Sequence, residues 1–165
     1  MSMRVQLIAP ILGLLFIGCS QSNQHTLQDT VDNYYQTYAE RVDFEYFLTF
    51  YDSAMVLEDI VLGEKIEGIE NFRAFFDWPN PNFEMRDSVA LIVTNQVFGE
   101  NEVITSGYFT PFSWGGVEVE AMLFMTTLTF GKDKKIIRHV DWINYPSTLI
   151  DYQTRKNSND WILDE

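Results

Sequence analysis

The sequence predicts an α+β domain, helices first and an antiparallel sheet after them. In the first half of the chain, apolar residues return at three- and four-residue steps, the spacing of one helix face. In the second half, four long β-rich segments are separated by short clusters of glycine and polar residues suited to hairpins. The chain has 165 residues, 46% hydrophobic and 15% aromatic, which is enough for one domain with a core that needs no disulfide.

Residues 1–18 read as a leader. Arg4 precedes an uncharged apolar run from Leu7 to Ile17, the length of a signal-peptide core and too short for a stable membrane span. The run ends in Phe16-Ile17-Gly18-Cys19-Ser20, which resembles the lipobox of bacterial lipoproteins. That resemblance implies cleavage before Cys19 and its lipidation, with the product held at the cell envelope. Cys19 is the sole cysteine, so no intrachain disulfide competes for it. Residues 19–28 are polar and read as a flexible tether. Residues 29–154 form the predicted domain and 155–165 a polar tail.

Within the domain, Leu27, Val31, Tyr34, Tyr35, Tyr38 and Val42 make the stripe of a first helix. Asp43 is placed to cap a second, whose stripe is Phe44, Phe47, Leu48 and Tyr51. Residues 54–62 read as a strand, with a turn at Gly63-Glu64-Lys65. A third helix follows Gly68, with Ile69, Phe72, Phe75 and Phe76 on one face, and ends at Trp78-Pro79-Asn80-Pro81. Four strands are expected over residues 88–98, 103–112, 117–130 and 136–143, as an antiparallel meander.

Several of these residues carry a resemblance to the nuclear transport factor 2-like superfamily, in particular its SnoaL-like polyketide cyclase and ketosteroid isomerase members. They are Tyr35 on the first helix, Asp43 opening the second, Tyr51 closing it, Glu58-Asp59 on the first strand, and the run Gly68-Ile69-Glu70-Asn71-Phe72. The run Ile136-Ile137-Arg138-His139-Val140-Asp141-Trp142 is similar to the last strand of the cyclases. The resemblance covers Leu27 to about Gln153. It implies a long antiparallel sheet curled into a cone and closed by three helices around one pocket.

The resemblance also assigns roles. Asp59 stands where the isomerases hold a carboxylate that moves a proton between carbons, and burial at an apolar mouth would raise its basicity. The plain alternative is a strand-end acid facing water beside Glu58. Tyr35 matches the tyrosine that donates to an enolate oxygen, though a helical tyrosine also serves as packing. Asp141 and His139 match the cyclase acid or base and its hydrogen-bond partner; two residues apart on a strand, they share a face. Their alternative is a cross-strand surface pair. Thr126 falls where a neutral carboxylic acid completes the isomerase oxyanion hole. Trp142 matches a pocket-lining tryptophan, and Met122, Phe124, Thr126 and Leu128 would line the wall if they face inward. His139 and Trp142 both point inward only across a bulge.

Eleven basic residues against 24 acidic ones give a formal charge of −13, which repels phosphate backbones and anionic lipid surfaces. Nucleic acid is therefore not an expected partner, and the membrane is expected only through the Cys19 lipid. His25 and His139 lie far apart, no glycine-rich phosphate loop precedes a helix, and there is no Gly-x-Ser-x-Gly elbow. No metal or cofactor is expected. The leading reading is an envelope lipoprotein whose pocket binds a small, largely apolar molecule, because Thr126 leaves the oxyanion hole incomplete. Carbon-acid proton transfer by an Asp base and a Tyr donor is the alternative, and a module that dimerises through its sheet is the third.

Overall fold

The computed structural model describes residues 21–146 and 149. Cys19, the leader and the C-terminal tail lie outside the described residues. Three helices lead the described residues, with one strand pair between the second and third. They are α1 (Gln21–Glu40), α2 (Phe44–Leu48), β1 (Tyr51–Asp59), β2 (Glu64–Glu67) and α3 (Ile69–Phe76). Seven strands follow: β3 (Phe83–Met85), β4 (Leu91–Phe98), β5 (Glu102–Phe109), β6 (Phe112–Trp114), β7 (Val117–Val119), β8 (Met122–Phe130) and β9 (Ile136–Ile143).

The α+β composition and the three helices are as expected, but the cone is not. The main sheet has the order β2-β1-β9-β8-β5-β4, with β2 and β4 as separate edges. Closing a sheet requires its edge strands to pair; these do not, and the sheet is neither closed nor strongly curled. Nor is it a pure antiparallel meander, because β1 pairs parallel to β9. Helix α3 and the later strands separate β1 from β9 in the chain, leaving room for the long return that a parallel pair needs. A second sheet, β3-β6-β7, takes residues 117–119 from the strand expected over 117–130, while β3 and all of β6 but Phe112 fall where no strand was expected.

Local chemistry explains the helix boundaries. The carboxylate of Asp43 accepts from the backbone N–H of Tyr46 at 2.8 Å and so caps α2. Between α1 and α2 the chain turns at Arg41, whose φ of 50° lies in the left-handed region. Helix α1 also takes in residues 21–28, read from sequence as a tether; extending a formed helix fixes one residue per bond gained and is far easier than starting one. Gly68, at φ 80°, opens α3, and Asp77 ends it in the left-handed region.

Helices and sheet meet in an aromatic interior. Tyr34, Phe47, Tyr51 and Phe72 are buried, and Phe47 lies with its ring centroid 4.4 Å from that of Trp78. On β8, residues 122, 124, 126, 128 and 130 face this interior while Leu123 and Met125 face out. Strand β9 carries an irregularity against β8: Thr129 pairs with Arg138 and Phe130 with Ile136, so Ile137 is the extra residue. Because the slip precedes His139, it sets His139, Asp141 and Ile143 on the inner face and Trp142 on the outer one.

Gly107 of β5 lies where the sheet tolerates no side chain. A Cβ there would meet the Ile92 carbonyl oxygen and stand 2.8 Å from the Phe124 ring. Backbone cannot step aside as a flexible side chain can. Gly107→Ala is therefore expected to cost about 2–3 kcal/mol or more, read as a lowered urea midpoint. A midpoint unchanged from wild type would show that the strands at this crossing are not packed as described.

Candidate functional site

The site grows from one row of side chains across the sheet. Asp59 on β1 is the register partner of Asp141 on β9, Asp141 that of Thr126 on β8, and Thr126 that of Thr105 on β5. Register partners on neighbouring strands hold their side chains within reach of each other on one face. The row is buried: Asp59 is 2% exposed, Asp141 7%, Thr126 5% and Thr105 0%. Two carboxylates thus stand side by side in a largely apolar interior.

Each carboxylate is held. Oδ1 of Asp59 accepts the backbone N–H groups of Val61 (3.1 Å) and Leu62 (2.9 Å), and Oδ2 accepts the Tyr145 hydroxyl at 2.5 Å. Burial raises the proton affinity of Asp59 above that of an ordinary carboxylate, and the charge of Asp141 adds to it; the three hydrogen bonds pull the other way without cancelling the rise. Oδ1 of Asp141 accepts the Thr126 hydroxyl at 2.5 Å. His139 Nε2 stands 3.0 Å from the same oxygen but off the line of a hydrogen bond.

Behind Asp141 runs a buried polar chain. His139 Nδ1 lies 2.9 Å from the Tyr51 hydroxyl, which lies 2.8 Å from that of Tyr34. Burial raises the pKa of both phenols, so they stay protonated. With Tyr51 donating to Nδ1, the ring N–H is on Nε2, which makes no hydrogen bond to the described residues. The chain ends at His139, and the hydrogen bond that holds Asp141 comes from Thr126.

In front of the carboxylates is a cavity of about 270 Å³. Its wall includes Asp59, Asp141, Tyr38, Tyr145 and Arg41, with Phe75, Phe76, Phe109, Phe112 and Met122 among its apolar members. Such a pocket, mostly apolar with a few convergent polar groups, has the form of a small-molecule site. The Tyr38 hydroxyl makes no hydrogen bond to the protein among the described residues. Burial, with lesser help from Asp141, keeps it a neutral donor. Among the described residues, no three His, Cys, Asp or Glu side chains gather to hold a metal ion.

The residues singled out from sequence therefore divide. Asp59, Asp141 and Met122 line the cavity. His139, 1% exposed, and Thr126 sit behind Asp141, while Phe124 and Leu128 belong to the core rather than to the cavity wall. Tyr35 is buried beside this row with its hydroxyl unpartnered, and it does not line the cavity either. Trp142, 48% exposed, pairs with Met125 on the outer face, so its expected place in the pocket is corrected by the parity of β9. Tyr38, Arg41 and Tyr145 were not foreseen. Tyr145 had a signal, since it continues the alternation His139, Asp141, Ile143 on one face.

Solved structures share this architecture. A protein described as a SnoaL-like polyketide cyclase from Shewanella putrefaciens superposes with a TM-score of 0.60 at 19% identity, covering 72% of this chain and 90% of its own. Another so described, from Shewanella denitrificans, also gives 0.60, at 18% identity over 85% of this chain and 98% of its own. The chain has a SnoaL-like, nuclear transport factor 2-like fold. A protein described as a ketosteroid isomerase from Kribbella flavida shares it, with a TM-score of 0.57 at 16% identity over 78% of this chain and 90% of its own. No family model and no curated protein matches the chain. These structures are described under more than one activity, and at such identities the likeness shows the fold alone, so the activity has to be argued from the pocket.

Proposed function

We propose that the pocket moves a proton on a small carbonyl compound, in the manner of an isomerase or cyclase, with Asp59 as the base. The observation that carries this reading is the pair of registered, buried carboxylates on the wall of an apolar cavity, with the basicity of Asp59 raised by burial. A purely passive binder of apolar molecules gains nothing from two desolvated acids, each costly to bury.

In the proposed step, an Asp59 oxygen takes a proton from the carbon next to the carbonyl. The C–H pair moves into the enolate, whose oxygen accepts the Tyr38 O–H, and Asp59 then returns the proton to the same or a neighbouring carbon. Tyr38 replaces Tyr35 as the donor because it lines the cavity and Tyr35 does not. Names of the fold relatives, cyclase and isomerase, agree with this class of chemistry. The test is proton–deuterium exchange at the α-carbon of aryl ketones in D₂O, followed by NMR. Exchange that needs the folded protein supports the reading, and exchange no faster than in buffer across such ketones rejects it.

The lipobox resemblance at residues 16–20 supports a place for this domain at the cell envelope, held by a lipid on Cys19. Metabolic labelling with a fatty acid is expected to mark the wild-type protein and not Cys19→Ala. Equal labelling of both would end that part of the proposal.

A further inference from the structure

We infer that the ligand of this pocket carries a carboxylate, and that Arg41 receives it. Among the described residues, Arg41 is the one cationic side chain on the cavity wall. Its guanidinium lies over two aromatic rings, 4.1 Å from the Phe83 centroid and 4.9 Å from that of Trp78. No carboxylate or carbonyl of the described residues pairs with it. The other arginines of the fold differ: Arg73 pairs with Glu45, Arg86 with Glu118 and Arg138 with Glu58.

Three physical points follow. A half-buried guanidinium without an anion is costly, and burial indeed lowers its pKa. Stacking on the rings recovers part of that cost through the ring faces, while the in-plane N–H groups keep their fork geometry for a carboxylate. Finally, the backbone of Arg41 sits at φ 50°, where glycine or asparagine is the ordinary occupant after a helix. A long charged side chain is held there at a conformational cost that turning the chain does not require.

The pocket's charge balance agrees with this occupant. Two carboxylates on one wall would repel an anionic ligand brought against them, but Arg41 gives its charged end a separate seat. The net charge of −13 weighs against any anion at long range, yet at physiological salt its reach is about 8 Å. A keto acid of modest size satisfies both ends, its carboxylate on Arg41 and its acidic C–H toward Asp59. The last part of that statement rests on the proton-transfer reading; the seat on Arg41 does not.

The experiment uses the full chain with 4-oxo-4-phenylbutanoate and its primary amide, which have the same shape and differ in charge. Calorimetry is expected to show the acid bound at least about tenfold more tightly than the amide by wild type. Arg41→Gln removes that preference and leaves amide affinity within about twofold. Arg41→Gly does the same while relieving the backbone, which guards against a folding artefact. Equal affinity of wild type for acid and amide, no binding of either at millimolar concentration, or an equal loss of both in the variants would overturn the inference. Asp59→Asn separates the two proposals. It is expected to keep the preference for the acid while losing α-proton exchange, and if exchange persists the proton-transfer reading fails while Arg41 keeps its role.

Discussion

Asp59→Asn is expected to slow α-proton exchange by about 10²–10⁴-fold, the usual contribution of a positioned general base. The amide is nearly isosteric, and its surroundings accommodate it. Its oxygen accepts the N–H groups of Val61 and Leu62 as the carboxylate does, and its NH₂ donates to the Tyr145 oxygen, which now acts as acceptor. The loss of rate should thus come without loss of fold. Stability provides an independent readout with a defined sign. Burial favours the neutral carboxyl of Asp59 in the folded protein, raising its pKa above the ordinary 3.8. The contribution of Asp59 is therefore fully present below that value and is lost as pH rises through the raised folded one. Asp59→Asn titrates nowhere, so it should gain on wild type in urea midpoint across that window and hold its gain at neutral pH. A variant that exchanges at the wild-type rate would remove Asp59 from the chemistry. A stability difference that is flat from pH 3 to 8 would instead show the carboxyl to be ordinary.

The reading of the chain from sequence reached furthest where the signal was local. Asp43 as a cap, Phe72 and Phe76 on one face of α3, and the limits of β9 all follow from spacing and capping chemistry within a few residues. The parallel pairing of β1 with β9 was not legible, since strand order is decided by which faces meet across the whole chain. The same limit hid the β3-β6-β7 sheet: three residues per strand show no period, and although Pro111 marks a break after β5, nothing local tells which strands pair beyond it. Within the site, Asp59 and Asp141 were found through resemblance, but their adjacency came only with the register. Trp142 was placed by resemblance, and it faces out because the irregularity in β9 precedes His139 and no second one lies between His139 and Trp142 to bring both inward. Arg41 was not legible as a site residue, because its orientation depends on a left-handed backbone that nothing about an arginine suggests.

Phe47→Ala is expected to cost about 3–5 kcal/mol, the loss that truncating a fully buried aromatic brings. Phe47 is fully buried at the junction of the helices, its ring against Tyr34 (5.2 Å), Tyr38 (5.1 Å), Trp78 (4.4 Å) and Phe76 (5.8 Å). These neighbours are rings on three separate segments, so they cannot close in on the hole together, and the cavity term stays near its upper limit. For a domain whose whole stability is about 5–15 kcal/mol, that loss should lower Tm by roughly 10–20 °C. Phe47→Leu, which keeps most of the volume, should lose less than half as much. The effect also reaches the site, because Tyr38 and Trp78, which rest on Phe47, respectively face the cavity and underlie Arg41. In conditions where Phe47→Ala remains folded, its affinity for ligand should fall along with its stability. That would distinguish it from Asp59→Asn, in which rate falls and the fold holds. A truncation costing less than about 1 kcal/mol in urea denaturation would mean that the aromatic interior is not the close-packed support for Tyr38 and Arg41 that both proposals need.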